Sequence, residues 1–397
     1  QGAAQLLGAT AYCAPKVLSQ CLPQVIPKLQ AAAVVTHMKV SDAARQALLE
    51  VGGVIRNEEV RILSPILIKA LVEPELATAE ALKSLAETRF IHAIDPPSLA
   101  LVVPIVRRGL RDRTILTKTT AARIVGNMAT LAEVKDVVPY LPLMLPELQA
   151  VLLDPIPDIR AVVASSMGQL LRGMKDQGPE SLLPWLINTA RHGVSSVERN
   201  GAAQGLAEVL AALGAEAIHA TVPGMLRLIS EGTASEREGA LFCLTFFPAS
   251  LTQDFEQYLS QSLSPMLAAL ADERENVREA AIKAGRVLVR HYAVTSLDLL
   301  LPELEKGLFH DDWRIRQASV LLIGDLLMRV TGTSESKWAA SLANNEGGEE
   351  PQEDDMDDED EDPASLEGGH VLSHKERRQK RSQAGGSGFG GSESILV

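Results

Sequence analysis

Apolar residues along this chain fall into short stripes with helical spacing, separated by polar turns. Leu297, Leu300, Leu301, Leu304 and Leu308 follow the i, i+3, i+4, i+7 rhythm of one helix face. A turn bearing Asp311 and Asp312 comes next, and then a second stripe of Ile315, Ala318, Leu322 and Leu326. The preceding stretch repeats the arrangement: Asp272 marks the turn, and Val277, Ala280, Ala281, Ala284 and Leu288 form the second stripe. Each unit therefore reads as two amphipathic helices. Small residues in the second helix let neighbouring layers approach closely, to roughly 8–10 Å between axes.

The pairs keep a regular beat. A Leu or Val at or near a proline recurs at Pro23, Pro65, Pro104, Pro142, Pro184, Pro223, Pro265 and Pro302, with successive prolines 37 to 42 residues apart. That period suits HEAT or armadillo units and is too long for tetratricopeptide or ankyrin units. The expected fold is all-α: a HEAT/armadillo-type α-solenoid of about eight two-helix repeats over residues 1–333, a curved rod on the order of 80 Å long. Each proline is expected in the first turns of its helix, where a lost N–H is tolerated, or at a bend. The chain opens inside a helix pattern, Ala3 to Ala11, so further units are expected before it.

At Ser334 the composition changes. Residues 334–397 read as a disordered low-complexity tail, acidic and then basic. The acidic run Glu353 to Asp362 is broken only by Met356, the basic cluster comprises His374, Lys375, Arg377, Arg378, Lys380 and Arg381, and Gly385 to Gly391 form a Gly/Ser/Phe linker. This tail changes the meaning of the net charge of −13. It holds 16 acids and 6 bases, which leaves the first 333 residues with 35 acids and 32 bases. The near-neutral body is therefore not excluded from binding RNA.

Catalytic chemistry is hard to find. No Walker or dinucleotide loop is present, and the eight histidines show no metal-ligand pairing. Asp311 and Asp312 read as helix caps rather than an acid/base pair. Cys13, Cys21 and Cys243 form neither a metal spacing nor a disulfide framework, so a reducing, cytoplasmic setting is expected, with Cys243 a core thiol. No uninterrupted apolar run reaches the roughly 18 residues of a membrane span. A non-enzymatic chain with no cofactor and no membrane contact is expected, working through surface.

The densest basic patch of the body is Arg107, Arg108, Arg111 and Arg113 with Lys118, five cations in twelve positions between the two helices of the third unit. It reads either as contact with phosphate or an acidic protein or as a solvated helix end. Asp154 with Arg160, Asp272 with Arg278 and Asp311 with Arg316 recur at equivalent turns and read as a charge ladder between layers. Trp313, beside Arg314 and Arg316, is either an exposed anchor or a staple at the start of its helix.

Several phrases are more specific than generic repeat patterning. They include Ile94-Asp95-Pro96-Pro97-Ser98, Ile124-Val125-Gly126-Asn127-Met128, Leu153-Asp154-Pro155-Ile156-Pro157-Asp158-Ile159-Arg160, Gly201-Ala202-Ala203-Gln204-Gly205 and Asp312-Trp313-Arg314-Ile315-Arg316. Over about residues 1–333 the chain resembles the central, elongation-factor-three-like HEAT region of the general control non-derepressible translational activators. The resemblance implies a scaffold that binds ribosomes (rRNA and ribosomal proteins) and an ABC-type ATPase partner. It also implies service to the initiation-factor-two kinase in amino-acid starvation, through a kinase-binding segment that lies outside this chain. On that basis Arg107, Arg108, Arg111, Arg113 and Lys118 become candidate ribosome or partner contacts, with Trp313 and Arg314 as secondary candidates. The alternatives are HEAT scaffolds of other kinds: a microtubule-binding TOG array, a transport receptor or a phosphatase scaffold.

Overall fold

The structure is a computed structural model and describes residues 1–332, which form nineteen α-helices within one compact unit. The expected tail of residues 334–397 lies outside the described residues. A lone helix, α1 (Gly2–Cys13), precedes the pair α2 (Pro15–Ala33) and α3 (Met38–Gly52). Next come α4 (Glu58–Val72) with α5 (Pro74–Glu87), and α6 (Pro96–Leu110) with α7 (Ile115–Leu131). A short α8 (Val134–Val137) leads into α9 (Leu141–Leu152) and α10 (Pro157–Met174), followed by α11 (Leu182–His192) with α12 (Ser196–Leu213) and α13 (Ala215–Glu231) with α14 (Ala234–Leu251). After the short α15 (Gln253–Glu256), the last pairs are α16 (Leu259–Ala269) with α17 (Glu275–Tyr292) and α18 (Leu297–Leu308) with α19 (Trp313–Thr331). The eight pairs match the expected all-α solenoid of about eight repeats.

The second helices carry the stack. From α7 onward they pack in succession, α7 on α10, then α12, α14, α17 and α19, and one continuous apolar core runs through them. The stripes read from sequence are the buried ones: Val277, Ala280, Ala281, Ala284 and Leu288 in α17, and Ile315, Ala318, Leu322 and Leu326 in α19. Close approach depends on glycine where backbones meet. A Cβ on Gly239 of α14 would lie 1.8 Å from the carbonyl oxygen of Ala190 in α11, a distance no side chain tolerates.

Two features depart from the regular scheme. First, the prolines sit near helix starts only in α9 (Pro142) and α11 (Pro184), whereas Pro23, Pro65, Pro104, Pro223, Pro265 and Pro302 lie inside their helices. An interior proline frees the carbonyl four residues back. At Pro65 that carbonyl belongs to Arg61, and the Ser64 hydroxyl donates to it at 2.8 Å. Second, α2 packs on α6, two pairs further on, as well as on α3. With α4, α5, α7 and α9 also against it, α6 is buried around almost its whole circumference. Its run Leu99-Ala100-Leu101-Val102-Val103 is the uninterrupted apolar sequence that such a position requires.

Second helices also end in a recurrent way. The residues that follow α10, α12 and α14 are Lys175, Gly214 and Thr252, all with positive φ (51°, 86° and 50°). Glycine adopts this backbone freely, whereas a β-branched residue is strained there by about 1–3 kcal/mol.

Two substitutions of opposite sign test this account. Gly239→Ala is expected to lower stability by about 1–3 kcal/mol or more, because a backbone carbonyl has to move. Thr252→Gly is expected to raise it by about 1 kcal/mol through relief of φ strain. Urea midpoints followed by circular dichroism would measure both; a neutral Gly239→Ala would mean that α14 does not approach α11 as described.

Candidate functional site

The turns between the two helices of each repeat form a rim, and the sequence-derived candidates all lie on it. From α7 onward the rim is built around a cation in the first turn of each second helix: Lys118, Arg160, Arg199, Arg237, Arg278 and Arg316. The arginines reach back to carbonyls of their own turn. Arg160 Nη1 donates to Asp154 O and Pro155 O (2.9 Å each), and Arg199 Nη1 to Gly193 O (2.6 Å). Arg237 Nη1 donates to Gly232 O (3.0 Å), Arg278 Nη1 to Asp272 O (2.8 Å) and Arg316 Nη1 to His310 O (2.7 Å).

The other guanidinium nitrogens face the next layer. Arg160 Nη2 donates to Asn200 Oδ1 at 3.2 Å, and Arg199 Nε to Glu238 Oε2 at 2.9 Å in a pair almost wholly removed from water. Arg237 grips Asp272 with two bonds of 2.7 and 3.0 Å. Lys118 has a single ammonium and makes only the forward contact, Nζ to Asp154 Oδ2 at 2.6 Å. A planar fork serves two layers where a point charge serves one.

The expected charge ladder therefore exists, with its bonding redistributed. Arg160 and Arg278 take the carbonyl, not the carboxylate, of the Asp six residues before them, and Arg316 takes that of Asp311, five residues before it. The carboxylates of Asp154 and Asp272 cap N–H groups two residues on, at Ile156 (3.0 Å) and Arg274 (2.9 Å), and receive the cation of the preceding layer. Asp312 caps Arg314 N at 2.8 Å, as the cap reading expects, while Asp311 contributes its carbonyl to Arg316. Burial pushes the Asp154 and Asp272 carboxyls up, but the Lys118 and Arg237 hydrogen bonds and the capped N–H groups outweigh it and hold both below the usual range.

The third-unit patch divides along the same lines. Arg107 and Arg111 converge on Glu147 of α9, Arg107 Nη2 at 3.2 Å and Arg111 Nε at 2.7 Å. The Arg111 hydrogen bond comes first in holding the Glu147 carboxyl below its usual value. Arg108 points the other way and donates from Nη1 to Ala70 O of α4 at 2.7 Å; its burial lowers the guanidinium pKa. Lys118 is 19% exposed and tied to Asp154. Arg111, although paired, keeps 64% of its side chain in solvent, and Arg113 is exposed with no hydrogen bond or ion pair among the described residues. Exposed Ile115 and Leu116 follow it at the start of α7.

At the far end of the rim Trp313 is 56% exposed, with the Arg314 guanidinium 5.0 Å from its ring centroid. That exposure does not fit a staple packed at the helix entry and leaves Trp313 on the surface. Cys243 is fully buried, and burial pushes its thiol far up. The clamps Arg191–Glu236 and Arg199–Glu238 escaped sequence reading, because the partners lie a repeat apart on different helices. Their spacing of 45 and 39 residues, close to the proline beat, is the signal that marks them.

Elsewhere, a cleft of about 380 Å³ between α5, the segment after it and α7 is lined by Leu85, Phe90, Ile94, Ile124 and Met128 with Arg123 and Asn127. Among the described residues no group of three His, Cys or acidic side chains is placed to hold a metal, and no helix is long and apolar enough to cross a membrane.

Stacked helix pairs with riveted turns and an exposed rim define a HEAT-repeat scaffold. The "Elongation factor 3/GNC1 HEAT repeat" model matches residues 75–181 and the "EF3 N-terminal HEAT repeat" model matches residues 199–331. The chain is 45% identical over 335 residues to the stalled ribosome sensor GCN1 of Homo sapiens, covering 84% of this chain and 12% of that protein. It is 49% identical over 354 residues to protein ILITYHIA of Arabidopsis thaliana (87% and 13%) and 41% identical over 334 residues to the eIF-2-alpha kinase activator GCN1 of Saccharomyces cerevisiae (84% and 12%). The chain belongs to the elongation factor 3/GCN1 family of HEAT-repeat proteins, and it spans about an eighth of the length of these curated relatives.

Two measurements test the clamps. Asp272→Ala removes a cap and strands the half-buried Arg237, and is expected to cost about 2–4 kcal/mol, more than the roughly 1 kcal/mol of a cap alone. Asp272→Asn, which keeps an oxygen for the cap, should cost less; equal losses would deny the interlayer bond its share. Glu236 accepts from Thr233 N (3.0 Å) and from Arg191 Nη2 (2.6 Å), and the Thr233 N–H, then Arg191, lower its pKa from 4.5 to about 2. A depressed carboxyl contributes stability above its unfolded pKa and loses it as pH falls toward the folded one. Glu236→Gln should therefore be about 1–3 kcal/mol less stable than wild type at pH 7, with the gap closing between pH 4.5 and 2. A gap independent of pH would disprove the assignment.

Proposed function

We propose that this chain is a non-enzymatic scaffold segment of a translational activator, through which the larger protein associates with ribosomes and with an ABC-type ATPase partner. In this reading it helps relay amino-acid starvation to the initiation-factor-two kinase and works in the cytoplasm. The observation that carries the proposal is 45% identity to a stalled ribosome sensor over 335 residues, 84% of this chain and so many repeats rather than one.

The rim supports this reading through its exposed groups. Arg111 and Arg113, next to Ile115 and Leu116, offer charge with an apolar border at one end, and Trp313 with Arg314 offers an aromatic plate under a cation at the other. Arg107, Arg108 and Lys118 hold their segment in place and act on a partner through that positioning.

Ribosome co-sedimentation of the full chain, at low and moderate salt, tests the proposal. Wild type is expected to pellet with ribosomes in a salt-sensitive manner. Arg111→Glu with Arg113→Glu is expected to reduce pelleting several-fold without loss of helicity. A folded wild type that stays in the supernatant at low salt would refute ribosome association for this segment; undiminished pelleting of the double variant would move the contact elsewhere.

A further inference from the structure

The structure assigns a second interaction surface, an RNA-backbone contact on the exposed face of α17 and the last turn of α19, formed by Lys283, Arg286, Arg290 and Arg329. This inference rests on the ribosome-scaffold reading and adds a site and a ligand chemistry to it. None of the rim residues belongs to it.

Lys283, Arg286 and Arg290 stand at i, i+3 and i+7 along α17, and all are exposed. The outer two are separated by about 10 Å along the axis. Arg329 lies 39 residues after Arg290, the same interval that separates the ion-paired Arg286 and Asp325, so it holds the Arg290 register one layer on. One layer is roughly 8–10 Å. His291 lies between them, and its pKa is lowered by burial and then by Arg290 and Arg329.

Few acids oppose these charges. Arg286 pairs with Asp325 at 3.5 Å, both side chains remaining substantially in solvent, and Glu279 stands one turn before Lys283 on the same face. Lys283, Arg290 and Arg329 make no ion pair among the described residues. This differs from the rim, where cation after cation is engaged by the next layer. Cations held about 10 Å apart on rigid helices suit a polyanion with repeated charge.

RNA is favoured over an acidic protein by what the face lacks. Protein interfaces depend on a few large apolar or aromatic anchors, and α17, which carries three of the four cations, has no exposed large apolar side chain, whereas on α19 Leu327 and Val330 are exposed near Arg329. The third-unit turn, with Ile115 and Leu116 beside its arginines, has that mixture. Backbone phosphates need only cations at suitable spacing.

The test is anisotropy of a labelled duplex RNA titrated with the full chain over a salt series. Lys375, Arg377, Arg378, Lys380 and Arg381 are changed to Gln in every arm, so that the tail does not bind the probe. Lys283→Gln/Arg290→Gln/Arg329→Gln is expected to weaken binding at least tenfold and to flatten the log–log salt dependence by about 2, the counterions of two to three phosphate contacts. Arg290→Lys with Arg329→Lys, which keeps the charge, is expected to retain both, and so separates loss of charge from loss of fold. The surface is overturned if the triple variant keeps the affinity and slope of its parent, if no salt-dependent binding occurs, or if poly-glutamate competes as well as RNA. Ribosome pelleting reads the scaffold proposal separately. Pelleting with an unchanged RNA slope in the triple variant overturns this surface alone, and a lost RNA slope in a chain that never pellets overturns the scaffold reading alone.

Discussion

One cation in the first turn of each second helix from α7 onward ties this solenoid together, because in the middle repeats it holds two things at once. Its backward bonds close the turn between the helices of a repeat, and its forward bonds fix the angle at which the next repeat lands. Arg160, Arg199 and Arg237 do both, with the carbonyls of their own turns on one side and Asn200, Glu238 and Asp272 on the other. An apolar core of Leu, Ala and Val is permissive about orientation, since such side chains pack at many crossing angles. A planar guanidinium with a bidentate carboxylate is not. The core supplies the attraction between layers and the clamps select the register.

That division decides which charges are left for partners. A cation engaged by a carboxylate of the next layer presents little net field, and its removal disturbs stacking before it disturbs binding. The third-unit cluster shows this most clearly, because a basic run that looks like a docking patch is mostly a set of interlayer ties: Arg107 and Arg111 to α9, Arg108 to α4 and Lys118 to Asp154. Only its outer members, Arg111 in part and Arg113 fully, face solvent. Loss of binding in an Arg107 or Lys118 variant would therefore say more about the geometry of the rim than about contact.

The fold was legible because helical solenoids write themselves into the chain twice, once as stripes of 3.6-residue period and once as a beat near forty. The α17 and α19 stripes, the repeat number and the buried Cys243 follow from those periods and from residue size. The displaced α2 was not legible, since its preference for α6 depends on α6 being apolar on every side, a tertiary demand that local periodicity does not encode. The site was legible only as a place. Composition located the arginines, but the carboxylate that engages two of them, Glu147, sits on another helix about one period downstream. Reading Arg107 against Glu147, or Arg199 against Glu238, requires comparing residues one repeat apart rather than neighbours in sequence.

The clamps also vary along the array, and the variation has a direction. Between the layers of α10 and α17 every step carries a polar tie at the turns, through Asn200, Glu238 and Asp272. Beyond that point Arg278 and Arg316 close their own turns with carbonyls, and the ion pair between α17 and α19 among the described residues is the solvent-exposed Arg286–Asp325 contact at 3.5 Å. Exposed pairs of this kind contribute little, about 0–1 kcal/mol. In a quasi-one-dimensional stack each interface is stabilised locally, so the last described interface has less polar reinforcement than those of the middle repeats. On the same two layers Lys283, Arg290 and Arg329 make no ion pair among the described residues, although Glu279 and Asp325 stand one turn before Lys283 and Arg329. A weakly tied rim and an exposed positive face thus fall on the same pair of layers, where Arg278 bonds only the carbonyls of its own turn among the described residues.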